Sequence, residues 1–176
     1  MNKVISCDFE KNVKLKNFEF SCTKDTEGKY MRNYLENNLL LPDYYGYDEE
    51  DRMVFADGIS ELIFNSIRAA AEEDKDHPIT LRIKYSPDII NIEITNGAGG
   101  FDFDKVPFVP DRPFDILSFK ASEYHEEAGR GGMGMYMASN IFRNFKLGFI
   151  DRDGDPCEFN KGITFGTKVT MDIFKK

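Results

Sequence analysis

Residues 51–73 hold the longest helical pattern in the chain, and two strand patterns follow it directly. Ile59, Ile63 and Ile67 recur every four residues, with Leu62, Ser66 and Ala70 beside them. That spacing draws one apolar stripe along a helix, and such a stripe has to be buried. The next two runs, Ile79 to Tyr85 and Ile89 to Thr95, alternate apolar and polar residues as half-buried strands do. Ser86-Pro87-Asp88 between them predicts a hairpin turn. An amphipathic helix beside an antiparallel hairpin predicts an α/β (α+β) two-layer sandwich, with a mixed, mainly antiparallel sheet and helices on one face.

The rest of the chain fits around that unit. Residues 13–22 alternate well enough for a strand. Thr23 or Asp25 then offers a cap for a helix carrying Tyr30, Met31, Tyr34, Leu35 and Leu39, ending near Pro42. Met135 to Phe145 has helical period, Lys146 to Ile150 and Lys168 to Phe174 read as strands, and the aspartates of residues 151–155 mark a turn. The length of 176 residues fits one domain spanning residues 1–176.

Composition narrows the classes of function. A net charge of −8 argues against direct nucleic-acid binding, which needs a basic face. No apolar run approaches the ~20 residues that span a bilayer, and residues 1–7 lack the apolar core of a signal peptide. The expectation is therefore a cytoplasmic protein with no membrane segment. Cys7, Cys22 and Cys157 are widely spaced and form no CxxC pair, so they read as reduced thiols rather than zinc ligands. His77 and His125 read as surface loop residues.

Three segments have the composition of a ligand site. On the long helix, Glu61 and Asn65 stand four residues apart and so share a face, and Arg68 extends the same polar stripe. Such a stripe is also what any solvated helix face shows. Asn96-Gly97-Ala98-Gly99-Gly100-Phe101-Asp102 follows a strand, and its small residues let a planar ligand approach the backbone. Asn96 carries an amide oxygen that accepts from an exocyclic amine and an NH₂ that donates; a plain glycine-rich turn has the same composition. Gly129-Arg130-Gly131-Gly132-Met133-Gly134 opens a helical pattern, where backbone N–H groups and the helix dipole favour a phosphate. Residues 96–128 have no sustained period, which in a compact domain marks a lid, a binding loop or a disordered insertion.

In this order the three segments resemble the GHKL, or histidine-kinase-like, ATPase superfamily with its Bergerat ATP-binding fold. More narrowly, the chain is similar to the bacterial anti-sigma-factor serine kinases of partner-switching systems. Residues 58–66 look like that family's N-box, residues 96–102 like its first glycine box, residues 127–135 like its second, and residues 162–171 like its closing strand. The resemblance implies ATP and Mg²⁺ as ligands. It implies Glu61 as general base, Asn65 as the Mg²⁺ ligand, and Arg68 beside them. It further implies nucleotide contacts from Asn96, Ala98, Gly100, Arg130, Gly131, Gly132, Met133 and Gly134, Thr167 near the adenine through water, and an ATP lid at residues 103–128. It implies protein partners: a sigma factor or other regulatory protein, and a small STAS-domain antagonist phosphorylated on serine. Members of the family commonly form homodimers.

The chain departs from the family pattern at two positions. Asn96 stands where the family has an adenine-binding aspartate, and Ala98 where it has a glycine. Moving the alignment by one residue puts Thr95 at the acidic position instead, so the aspartate is missing in either register. A hydrogen bond to a charged group contributes about 1.5–3 kcal/mol against about 1 kcal/mol for a neutral one. The leading expectation is an ATP-dependent protein-serine kinase. The alternative is a module of the same fold, impaired in nucleotide binding, that sequesters a regulatory protein without kinase activity.

Overall fold

The computed structural model describes residues 5–9, 13–23, 25, 32–35, 45–72, 77–98, 138–158 and 164–176. Seven strands are found among them: β1 (Ile5–Phe9), β2 (Val13–Cys22), β3 (Ile79–Tyr85), β4 (Ile89–Asn96), β5 (Arg143–Ile150), β6 (Pro156–Cys157) and β7 (Gly166–Phe174). They form one sheet in the order β1-β2-β3-β4-β7-β5-β6. Every described pairing is antiparallel, so the expected mixed sheet is, in these residues, antiparallel throughout. With the long helix α1 (Glu49–Glu72) packed on β3 and β4, the chain is of the α+β class.

α1 starts two residues before the pattern predicts because Asp48 caps it. The Asp48 carboxylate accepts from the Asp51 backbone N–H (2.9 Å), and the Asp51 carboxylate accepts in return from the Asp48 N–H (3.3 Å). Glu49, Glu50 and Asp51 in the first turn also suit the positive end of the helix dipole. The Lys176 ammonium reaches Asp51 (2.5 Å) and lies over the Tyr47 ring, so the chain's last residue is fastened to the start of α1.

The core lies between α1 and one sheet face. Ile59 and Ile63 on α1 are wholly buried against Leu81, Ile83, Ile92 and Ile94. Burial contributes about 1.5–3 kcal/mol per such side chain. Along β3, β4 and β7 burial alternates with the strand period, which places Arg82, Glu93 and Lys168 on the opposite face. The Ser86 turn is as expected: its N–H donates to the Ile89 carbonyl (2.9 Å), and its hydroxyl accepts from the Ile89 N–H (3.2 Å).

Two expectations are corrected. The helical pattern of residues 135–145 does not run to Phe145: helix is found at residues 138–141, and β5 begins at Arg143. Asn144 takes a left-handed φ of 50° and donates to Asp172 on β7 (2.8 Å), while the pairing shifts register between Arg143 and Lys146. Asparagine tolerates that conformation, and a left-handed residue at 144 is incompatible with a helix running to Phe145. His77, expected as a surface loop residue, is half-buried with its ring edge-on to Phe165 at 4.8 Å.

The aspartates of residues 151–155 fold back on their own backbone. The Asp151 carboxylate accepts from the N–H groups of Asp153 and Asp155, both at 3.0 Å, and Gly154 supplies a φ of 86°.

On the outer sheet face Glu93 accepts from Arg82 (3.0 Å) and pairs with Lys168 (2.7 Å). Burial raises the Glu93 carboxyl, but its bonds to Lys168 and Arg82, and their charges, outweigh this and hold it below the usual value. A carboxyl lowered in the folded state stabilises above its unfolded pKa, and that contribution is lost as pH falls through the folded value. Melting temperature followed from pH 7 to pH 3 should therefore fall less steeply in Glu93→Gln than in the parent chain; parallel curves would refute this.

Candidate functional site

The site elements meet where the C-terminal half of α1 faces the ends of β4 and the start of β7. α1 presents Glu61, Asn65 and Arg68 from successive turns. Leu62, Ile63 and Ser66 between them are buried, so the helix is held at a fixed rotation. Glu61 and Asn65 lie at the margin of the buried face, and Arg68 is exposed.

Asn96 is the last residue of β4 and is 7% exposed. Its Nδ2 donates to Ser66 Oγ (3.0 Å), and its Oδ1 accepts from the Ala98 N–H (3.2 Å). The Ser66 hydroxyl donates in turn to the Leu62 carbonyl one turn back (3.0 Å). Thr167 pairs directly opposite Asn96 across β4 and β7 and is buried. Ser66 and Thr167, 101 positions apart in sequence, are thus joined through Asn96.

Two glycines permit this approach. A Cβ on Gly166 would lie 1.7 Å from the Asn96 carbonyl oxygen. One on Gly97 would lie 2.8 Å from His77 and 2.9 Å from the Phe165 ring. Neither position carries a positive φ; lack of space requires glycine there.

Asn65 shows an uncommitted polar atom. Its Nδ2 is buried with no hydrogen-bond partner among the described residues. A buried amide nitrogen left unpaired costs about 1–3 kcal/mol, which an acceptor such as a phosphate oxygen would offset. Its Oδ1 is a hard oxygen donor of the type Mg²⁺ takes. The residues present therefore fit a Mg²⁺–nucleotide. The Glu61 side chain makes no hydrogen bond or ion pair among the described residues.

Asn96, Ala98 and Thr167 lie together, and Asn65 is the helix neighbour of Ser66, which bonds Asn96. Gly100, Arg130, Gly131, Gly132, Met133 and Gly134, with the lid at residues 103–128, lie outside the described residues. Ser66 and Gly166 were missed as site residues. A serine on an apolar helix face reads as packing, and its one available signal is its place next to Asn65. Gly166 carries no clear local signal either, because Gly148 also lies in a strand yet has open space around it.

Comparison with known proteins gives one relationship over part of the chain. The chain is 25% identical over 103 residues to the serine-protein kinase RsbW of Bacillus subtilis (strain 168). The match covers 58% of this chain and 59% of that protein. No protein-family profile matches the chain. Among the described residues no helix is long and apolar enough to cross a membrane.

Proposed function

We propose that this protein is an ATP-dependent protein-serine kinase of the partner-switching kind, built on the Bergerat fold. The observation that carries the reading is the joining of Ser66, Asn96 and Thr167 in one place, with a buried, unpartnered amide nitrogen on the neighbouring Asn65. The similarity to a serine-protein kinase supports the same reading. The partners would be a sigma factor or other regulatory protein and a STAS-domain antagonist bearing the target serine, with the kinase acting as a cytoplasmic homodimer.

Each residue has a definite task in that reaction. Asn65 would hold Mg²⁺ through Oδ1; the metal, when bound, neutralises charge on the phosphates. Asn96 and Thr167 would hold the base, and residues 130–134 the phosphates. Glu61, one turn before Asn65, would take the proton from the serine hydroxyl as its oxygen attacks the γ-phosphorus and ADP leaves. The phosphoserine would then carry about −1.5 to −2 charge at the interface and weaken antagonist binding.

A second reading is favoured by one observation: both ends of the neutral Asn96 amide are already engaged within the protein. That suits a module that captures a regulatory protein without turning over ATP. Calorimetric titration with ATP, with and without Mg²⁺, separates the two. The kinase reading expects micromolar, Mg²⁺-dependent binding, and no heat at millimolar ATP would replace it with the binding module.

A further inference from the structure

The orientation of the Asn96 side chain has a consequence for which base the site takes. An amide can be turned end for end about its last torsion, exchanging donor for acceptor, and its partners decide which way it lies. Here both ends are determined. While the Ser66 hydroxyl gives its proton to the Leu62 carbonyl (3.0 Å), it accepts from Asn96, and the atom facing it is Nδ2. At the other end the partner is the Ala98 N–H, a donor, so the atom facing it must be Oδ1. Reversing the amide would set an N–H against the Ala98 N–H, and would meet a proton at Ser66 only if that hydroxyl gave up its bond to Leu62.

Among the described residues one N–H of Nδ2 and one lone pair of Oδ1 remain. They form a donor–acceptor couple of fixed polarity. A 6-aminopurine offers an amino donor beside the N1 acceptor; a 6-oxopurine offers an oxygen acceptor beside an N1–H donor, in the same two places with the signs exchanged. A freely turning asparagine serves either. One that cannot turn serves a single class in a given pose.

We propose that Ser66 is the positioning residue that fixes Asn96 to read a 6-aminopurine and to reject a 6-oxopurine. This rests on the reading that the chain binds a purine nucleotide at Asn96, and it assigns to Ser66 a selectivity that the aspartate of the family pattern, with two acceptors, has no need of.

The test is a calorimetric titration of the full chain with Mg²⁺-ATP and Mg²⁺-ITP, whose bases differ in the 6-substituent and the N1 proton. The parent chain should prefer ATP by about tenfold or more, the discrimination expected of a bidentate amide–base contact. Ser66→Ala should reduce the ATP-to-ITP ratio at least about threefold on the same scale, because only the Ala98 bond then resists reversal. Ser66→Thr keeps a hydroxyl at that point and should restore the ratio. A purely structural role for Ser66 would weaken both nucleotides alike and leave the ratio unmoved. Equal affinity for ATP and ITP in the parent chain overturns the proposal without need of a variant. So does ATP binding with an unchanged ratio in a folded Ser66→Ala; in both cases the nucleotide-binding reading survives. Failure of the parent chain to bind either nucleotide ends both.

Discussion

Gly166→Ala should destabilise the protein by about 3 kcal/mol, near the upper end of what overpacking costs. The added methyl group would sit 1.7 Å from the Asn96 carbonyl oxygen, 2.7 Å from its carbon and 2.9 Å from the Gly97 Cα. All three are backbone atoms, and none can swing aside as the tip of a side chain can. The only relief is for β7 and β4 to part at the point where Thr167 pairs with Asn96. Nucleotide binding should therefore fall with stability, because the same parting displaces Asn96 from Ser66. Gly148→Ala is the internal control. Gly148 lies in β5 with nothing within 4 Å of its would-be Cβ and no positive φ. There alanine should stabilise by about 0.5–1 kcal/mol, through the lower entropy of its unfolded chain. Urea unfolding of the two variants should thus give shifts of opposite sign. A Gly166→Ala midpoint equal to the parent's would mean that β4 and β7 do not approach so closely.

The contrast between those two glycines shows where the sequence is legible. Both are single glycines flanked by strand-forming residues, and local pattern cannot tell them apart, because the difference lies in how near the partner strand comes. Local pattern did suffice for α1 and the β3–β4 hairpin, where Ile59, Ile63, Ile83 and Ile92 fall on one buried surface at the helix and strand periods. It failed at Arg143 to Phe145, where the spacing is helical but Asn144 takes a left-handed φ and the chain has passed into β5. The same division runs through the site. Motif order singles out Asn65, Asn96 and Thr167, and the strand register sets Thr167 opposite Asn96. Ser66 was not, since a hydroxyl among apolar neighbours gives no sign of what it faces until α1 is laid against β4.

Glu61→Ala should leave Mg²⁺-ATP affinity within about threefold of the parent and lower phosphotransfer to a cognate STAS-domain antagonist by about 10²–10⁴, the range that general-base catalysis supplies. The two readouts separate because Glu61 and Asn65 stand one turn apart with different chemistry. Asn65 carries a neutral amide oxygen suited to holding a cation, whereas Glu61 carries a carboxylate, a group suited to taking a proton. Ser60 and Leu62 on either side of Glu61 are buried, and the Ser60 hydroxyl donates back to the Ala56 carbonyl (2.7 Å), so the backbone at Glu61 is held whatever side chain it bears. Loss of activity in the variant would then report chemistry rather than a shifted helix. Glu61→Gln sharpens the test, because it keeps the shape and removes only the proton acceptor; it should be as inactive as Glu61→Ala. Asn65→Ala should behave differently, losing the Mg²⁺ dependence of ATP binding along with activity. Full phosphotransfer by Glu61→Gln would show that the proton goes elsewhere. The base would then have to be sought on the antagonist, or in water delivered to its serine, leaving Asn65 and Asn96 as binding residues only.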